Sequence, residues 1–151
     1  GGRHELMAIT LTAAVDAAIR EHGRETFPHE CCGAMLGKDG VVREAFKLPN
    51  TTDEGPRRRF LVRPSDYRVA EARARDAGFE LLGFYHSHPD HPSRPSQYDL
   101  DHAWPFFSYV IVSVMGGEDK VLTSWRLKED RSTFDEETVQ ITRSPNHETT
   151  R

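Results

Sequence analysis

A chain of 151 residues with a formal charge of −4 is long enough to bury one core, and the apolar runs can fill it. That acidic balance argues against a general nucleic-acid binder, which carries a basic field, and no apolar run approaches the length of a membrane span. The two cysteines are adjacent, which argues against a structural disulfide framework, so a reducing cytoplasm is the expected compartment.

Residues 1–6 read as an expression scar ahead of a native start at Met7; a second reading makes Gly1-Gly2 the end of an upstream ubiquitin-like module. Leu11, Val15, Ala18 and Ile19 then recur at helical spacing, predicting a helix over 10–24 with Thr10 or Thr12 as N-cap and Gly23 near its end. Phe27-Pro28 breaks it, and Glu30 follows at the mouth of the next strand. Two strands, 32–36 and 41–48, are joined around Lys38-Asp39-Gly40, whose Asp-Gly favours a tight hairpin turn. Cys32 reads as a small buried strand residue, while Cys31 is placed nearer a functional site as a candidate redox-sensitive thiol.

Residues 49–58 form a polar loop, and Arg57-Arg58-Arg59 reads as a solvated run, with a minority reading as a substrate contact. Phe60 to Val62 reads as a short strand, and a second helix over 65–77 ends at Gly78. A central strand occupies 80–87. A short helix from Ser96 stops at Trp104-Pro105. Phe107 to Val114 has the pattern of a strand buried on both faces, Lys120 to Leu127 of an edge-proximal strand, and Thr133 to Val139 of one more. The expected organisation is one domain over 7–142 and a disordered tail over 143–151. Its order describes an α/β (α+β) sandwich around a mixed sheet.

Chemistry concentrates in Leu82-Gly83-Phe84-Tyr85-His86-Ser87-His88-Pro89 and the loop that follows it to Asp99. Period-2 geometry puts His86 and His88 on one side of an extended chain, so both imidazoles can reach one point. Pro89, Pro92 and Pro95 exclude helix and ladder pairing and make a fixed loop. Ser96 is an N-cap with Asp99 three residues on, a capping box that leaves carboxylate lone pairs unused. Two imidazoles and one carboxylate supply three protein ligands for a catalytic zinc, with the fourth tetrahedral position for water. His91 reads as a loop-tip, substrate-side residue, and His102 as a solvent-facing residue with a second candidate role beside the site. The segment His29-Glu30-Cys31-Cys32-Gly33 lacks the second histidine of His-Glu-x-x-His, and no Pro-Cys-x-x-Cys follows, so two rival zinc chemistries drop out.

His86-x-His88, seven residues, Ser96, two residues and Asp99 resemble the signature of the JAMM (MPN-plus) metalloproteases. Phe27 to Gly37 resembles that family's first-strand motif, with a glutamate ahead of Cys-Gly-x-Leu-Gly, and Ser108 to Val114 resembles the strand after its metal helix. The resemblance implies a curved, largely antiparallel sheet flanked by helices. It implies zinc on His86, His88 and Asp99, Glu30 as general acid/base and Ser96 as an oxyanion donor. It further implies hydrolysis of the peptide or isopeptide bond after the Gly-Gly tail of a ubiquitin-like partner. The compact chain and its Pro-rich loop resemble the prokaryotic members that process sulfur-carrier proteins, with removal of protein conjugates as the close alternative. Two readings from other classes remain, a silent MPN scaffold and a RadC-like DNA-associated protein. An intact Glu30, His86, His88, Ser96 and Asp99 weighs against the first, and the acidic charge against the second.

Overall fold

Ala8-Ile9-Thr10-Leu11 alternates exposed and buried side chains, and in the computed structural model, which describes residues 7–50 and 62–142, it forms a strand. This strand, β1 (Ala8–Leu11), occupies the ground where the sequence reading began a helix. Thr12 marks the switch: its extended backbone ends β1, and its side chain accepts the Val15 N–H to cap α1 (Ala13–Thr26). The rest of the order is β2 (Cys32–Lys38), β3 (Val41–Leu48), α2 (Pro64–Ala77), β4 (Glu80–Pro89), α3 (Gln97–His102), β5 (Ser108–Met115), β6 (Glu118–Leu127) and β7 (Phe134–Ile141). The turn between β2 and β3 has positive φ at both Asp39 and Gly40, as an Asp-Gly hairpin requires. Gly78 ends α2 in the left-handed conformation.

The sheet is mixed. Strands β2/β3, β2/β4, β5/β6 and β6/β7 pair antiparallel, while β4 runs parallel to β5 and β1 parallel to both β3 and β7. Through β1 the curved sheet closes on itself in the order β1-β3-β2-β4-β5-β6-β7. The expected sandwich is therefore a closed sheet with helices against it, and β6 lies between two neighbours rather than near an edge. Closure satisfies backbone groups of a four-residue strand that could not persist alone: Thr12 N–H donates to Val42 O and Thr142 N–H to Leu11 O.

Both faces of the central strands are buried. On one, Val15 and Ile19 of α1 pack with Ile9, Leu11, Met35, Tyr85 and Val112. On the other, Ala70 and Ala74 of α2 meet Ala34, Leu36 and Phe84. Burying several aliphatic side chains of this size contributes about 1.5–3 kcal/mol each, which is what holds β2, β4 and β5 rigid. Gly83 permits the β4–β5 approach, since a Cβ there would lie 1.9 Å from the Ser108 carbonyl oxygen. Among the described residues no helix is long and apolar enough to cross a membrane. Phe60 and Leu61 of the expected short strand, the Arg57–Arg59 run, residues 1–6 and the tail from 143 lie outside the described residues, and Val62 is not in a strand.

Candidate active site

Strand β4 carries the two histidines further into the sheet than the sequence implied. The ladder with β5 continues through His88↔Ser113 to Pro89↔Val114, so Pro89 ends the strand instead of preventing pairing. Proline lacks an N–H, but the next donor is used: Asp90 N–H bonds to Val114 O at 2.7 Å. His86 and His88 face the same side as Phe84, and both are buried.

The loop that follows is held more by hydrogen bonds than by its prolines. Ser113 Oγ donates to His91 O at 2.6 Å. The Pro92 carbonyl meets His88 Nδ1 at 2.8 Å, and the Ser93 carbonyl accepts from Thr123 Oγ1 and Trp125 Nε1. Ser96 then caps α3, with its hydroxyl accepting Asp99 N–H at 3.1 Å and Asp99 Oδ2 accepting Ser96 N–H at 2.8 Å. That reciprocal box aims the Asp99 carboxylate at the histidines.

His86 Nε2 and His88 Nε2 stand 3.2 Å apart, His86 Nε2 is 3.4 Å from Asp99 Oδ1, and His88 Nε2 is 3.3 Å from Asp99 Oδ2. A tetrahedral zinc with bonds of about 2.0–2.1 Å separates its ligands by roughly 3.3–3.4 Å. The imidazole pair and each imidazole's nearer carboxylate oxygen lie close to that spacing, so the triangle of three residues fits the ion. Donor chemistry agrees. A carbonyl can only accept, so His88 Nδ1 carries the proton toward Pro92 and, in the neutral ring, Nε2 turns a lone pair toward Asp99. Acceptors facing each other at this distance call for a cation between them. Burial alone would raise the Asp99 carboxyl, but positive charge at His86, with hydrogen bonds from both imidazoles and the Ser96 amide, outweighs it and holds it far below the usual carboxylate range. Where the rings are neutral, a bound cation would supply that positive charge.

Glu30 reaches the same place from the other side. Cys32 pairs with His86, and the antiparallel register carried two residues back sets Glu30 beside His88. Beyond the end of β2 this backbone is still fixed, because Ser87 N–H donates to Cys31 O, Cys31 N–H to Ser87 Oγ and Asn50 Nδ2 to Glu30 O. Glu30, His88, Ser96 and Asp99 line one open cleft of about 440 Å³, with His91, Arg94 and Gln97 on its rim. A narrow, mostly apolar cavity of about 30 Å³ adjoins His86 and Asp99, walled by Tyr98, Trp104 and Phe134.

Residues 12–128 match the family described as prokaryotic homologs of the JAB domain. The chain belongs to this family. It is 34% identical over 115 residues to the desampylase of Haloferax volcanii, covering 70% of this chain and 82% of that one. It is 27% identical over 134 residues to the CysO-cysteine peptidase of Mycobacterium tuberculosis, covering 88% and 90%. A solution structure of a Desulfitobacterium hafniense protein superposes with a TM-score of 0.79 at 32% identity, covering 92% of this chain and 96% of that one. This JAB-family protein is a hydrolase of the protease class, with a His-His-Asp cluster of metal-binding type.

All five residues singled out in the sequence therefore converge: His86, His88 and Asp99 as the triangle, Glu30 and Ser96 in the cleft beside it. Cys31 does not join them. Its side chain packs in the core with Val15 and Tyr85, and burial pushes its thiol up to about 11, so the expectation of a reactive thiol near the site is corrected. Cys32 is buried as expected. His91 is exposed on the rim, while the His102 ring packs against that of Tyr98 and bonds through Nδ1 to the Tyr98 carbonyl, beside the apolar cavity. A carbonyl only accepts, so His102 Nδ1 is the donor in that bond. Asn50, Ser87 and Arg94 were not anticipated. Each acts through a contact or a cleft built by elements remote in sequence, and only the position of Arg94 inside the His-to-Asp segment hinted at its place.

Proposed function

We propose that this protein is a zinc-dependent peptidase that hydrolyses the peptide or isopeptide bond after the Gly-Gly tail of a ubiquitin-like or sulfur-carrier protein in the cytoplasm. The observation that carries the reading is the single cleft that Glu30 and Ser96 share with His88 and Asp99, two members of the His86–His88–Asp99 cluster. The chemistry and spacing of that triangle favour zinc, one ion per chain. When bound, zinc supplies Lewis acidity and lowers the pKa of water from 15.7 to about 7.

The residues divide the remaining work. Glu30, fixed beside His88, takes a proton from the attacking water and passes it to the leaving amine. The carbonyl carbon gains a hydroxyl as its C–N bond breaks, and the amine departs with the relayed proton. Ser96 uses its oxygen to accept the Asp99 N–H, which leaves its own O–H to donate to the developing oxyanion. His86 and His88 enter from a strand buried on both faces, so the triangle is preorganised before substrate arrives. Names of relatives add support from two directions, since one is a CysO-cysteine peptidase and one a desampylase.

The test measures metal and turnover together. Purified protein is expected to hold about one zinc per chain by elemental analysis and to cut Gly-Gly-tailed carriers with C-terminal extensions in a chelator-sensitive manner. Glu30→Gln should keep the zinc and lose turnover. A fully active Glu30→Gln would remove Glu30 from the role of base, and a protein that takes up no zinc on reconstitution would sink the proposal.

A further inference from the structure

We infer that Arg94 makes this site selective for substrates whose leaving group ends in a free α-carboxylate, so that it trims C-terminal residues in preference to cutting lysine-linked conjugates. This rests on the peptidase reading above and adds the substrate class.

The cleft holds one arginine among its lining side chains, and it opposes two carboxylates, Glu30 and Asp99. Asp99 is directed at the two imidazoles, and Glu30 stands beside His88. Among the described residues Arg94 has neither an ion pair nor a side-chain hydrogen bond, and it carries the one permanent positive charge in the cleft lining. Its backbone is another matter. Pro95 follows it, and the Ser93 carbonyl before it is tied to Thr123 and Trp125 on β6. The Pro92 carbonyl is tied in turn to His88. The base of the side chain is therefore set by both the sheet and a metal-type histidine, while the exposed side chain itself borders the cleft and is not tied down.

The amine released by hydrolysis takes its proton from Glu30, and Glu30 and Arg94 line one cleft, so the leaving group departs into the cleft that Arg94 also borders. A C-terminal amino acid carries its carboxylate one Cα from that nitrogen. An arginine fork binds a carboxylate through two charge-assisted hydrogen bonds, a geometry that a neutral amide or a lysine side chain continuing into a folded protein does not offer. His91, on the same rim, is a second donor when protonated, but the fixed charge belongs to Arg94.

The experiment uses a ubiquitin-like sulfur carrier ending in Gly-Gly-Ala, prepared as the free acid and as the C-terminal amide, and the same carrier joined through Gly-Gly to a lysine ε-amine. Zinc-loaded wild type should cut the free acid about 10–100-fold better in kcat/KM than either neutral form, the range expected for hydrogen bonds to a charged group. Arg94→Ala should bring that ratio close to one, Arg94→Lys should restore part of it, and Arg68→Ala, an exposed change on α2, should preserve it. Calorimetry on Glu30→Gln should show the same preference in binding, lost in Glu30→Gln/Arg94→Ala. Efficient cutting of all three substrates without discrimination, or a preference that survives Arg94→Ala, would overturn the inference and leave the peptidase standing. Neither cutting nor binding of any of them would remove both.

Discussion

Replacing Ser96 with alanine separates two roles that coincide in one hydroxyl. As N-cap of α3 it accepts one N–H, that of Asp99, at 3.1 Å, in a residue exposed enough for water to take over the bond. The reciprocal bond from Ser96 N–H to Asp99 Oδ2 is a backbone contact and survives the change. The stability loss should therefore be about 1 kcal/mol, a fall in Tm of roughly 2–4 °C for a chain of this size. Zinc content should be retained, because His86, His88 and the carboxylate are untouched. If the hydroxyl also donates to the oxyanion, kcat should drop by about 10²–10³, or some 2.7–4 kcal/mol in the transition state, far beyond the stability effect. The assay pairs calorimetric melting and zinc analysis with kcat on the free-acid carrier at saturating substrate. A kcat within a few-fold of wild type, with the small Tm shift present, would reduce Ser96 to a cap and refute its catalytic role.

Asp99→Asn should weaken zinc binding by about 100-fold or more, since it removes the anionic member of the triangle while keeping an oxygen for the Ser96 N–H; competition with a chromophoric chelator reads this directly. Gly83→Ala should cost more than 3 kcal/mol or abolish folding, because its Cβ would meet the Ser108 carbonyl oxygen at 1.9 Å and force β4 from β5; urea denaturation measures it, and a change below 1 kcal/mol would contradict the packing. His22 is buried against Tyr85, and burial foremost, with Lys47 adding to it and Glu25 opposing, lowers its pKa to about 4. Its unfolded form binds more protons between pH 6.5 and 4, so stability should be intact above pH 6.5 and fall by about 1–2 kcal/mol on acidification through that window, after allowance for solvent screening. Denaturant midpoints of zinc-free protein against pH test this, and a His22→Gln protein should lose that part of the slope.

The helices and most strands were legible because their signals are local. Thr12 caps, Gly78 in a left-handed conformation and Asp39-Gly40 at the hairpin act within a few residues of themselves. The strand β1 escaped for the opposite reason. Ile9 and Leu11 alternate over only four residues, and their partners on β3 and β7 lie about 30 and 130 positions away. Pro89 was misjudged because a missing N–H was read as a missing ladder, although a strand end tolerates it when Asp90 supplies the next donor. Cys31 was set near the site from its sequence neighbours, but strand alternation sends it to the α1 face.

By itself the sequence determined the chemistry of the site: His-x-His on an extended chain shares a face, and Ser-x-x-Asp at a helix start aims a carboxylate back at its cap, both consequences of local backbone geometry. Glu30 came from the family likeness, and only the β2–β4 register brings it beside His88. Tertiary structure alone decided that the sheet closes, that Ser87 and Asn50 steady the Glu30 backbone, and that Arg94 stands at the cleft with β6 holding its loop. Those contacts join residues far apart along the chain, and their energy exists only after burial of the two core faces has fixed the strands that carry them.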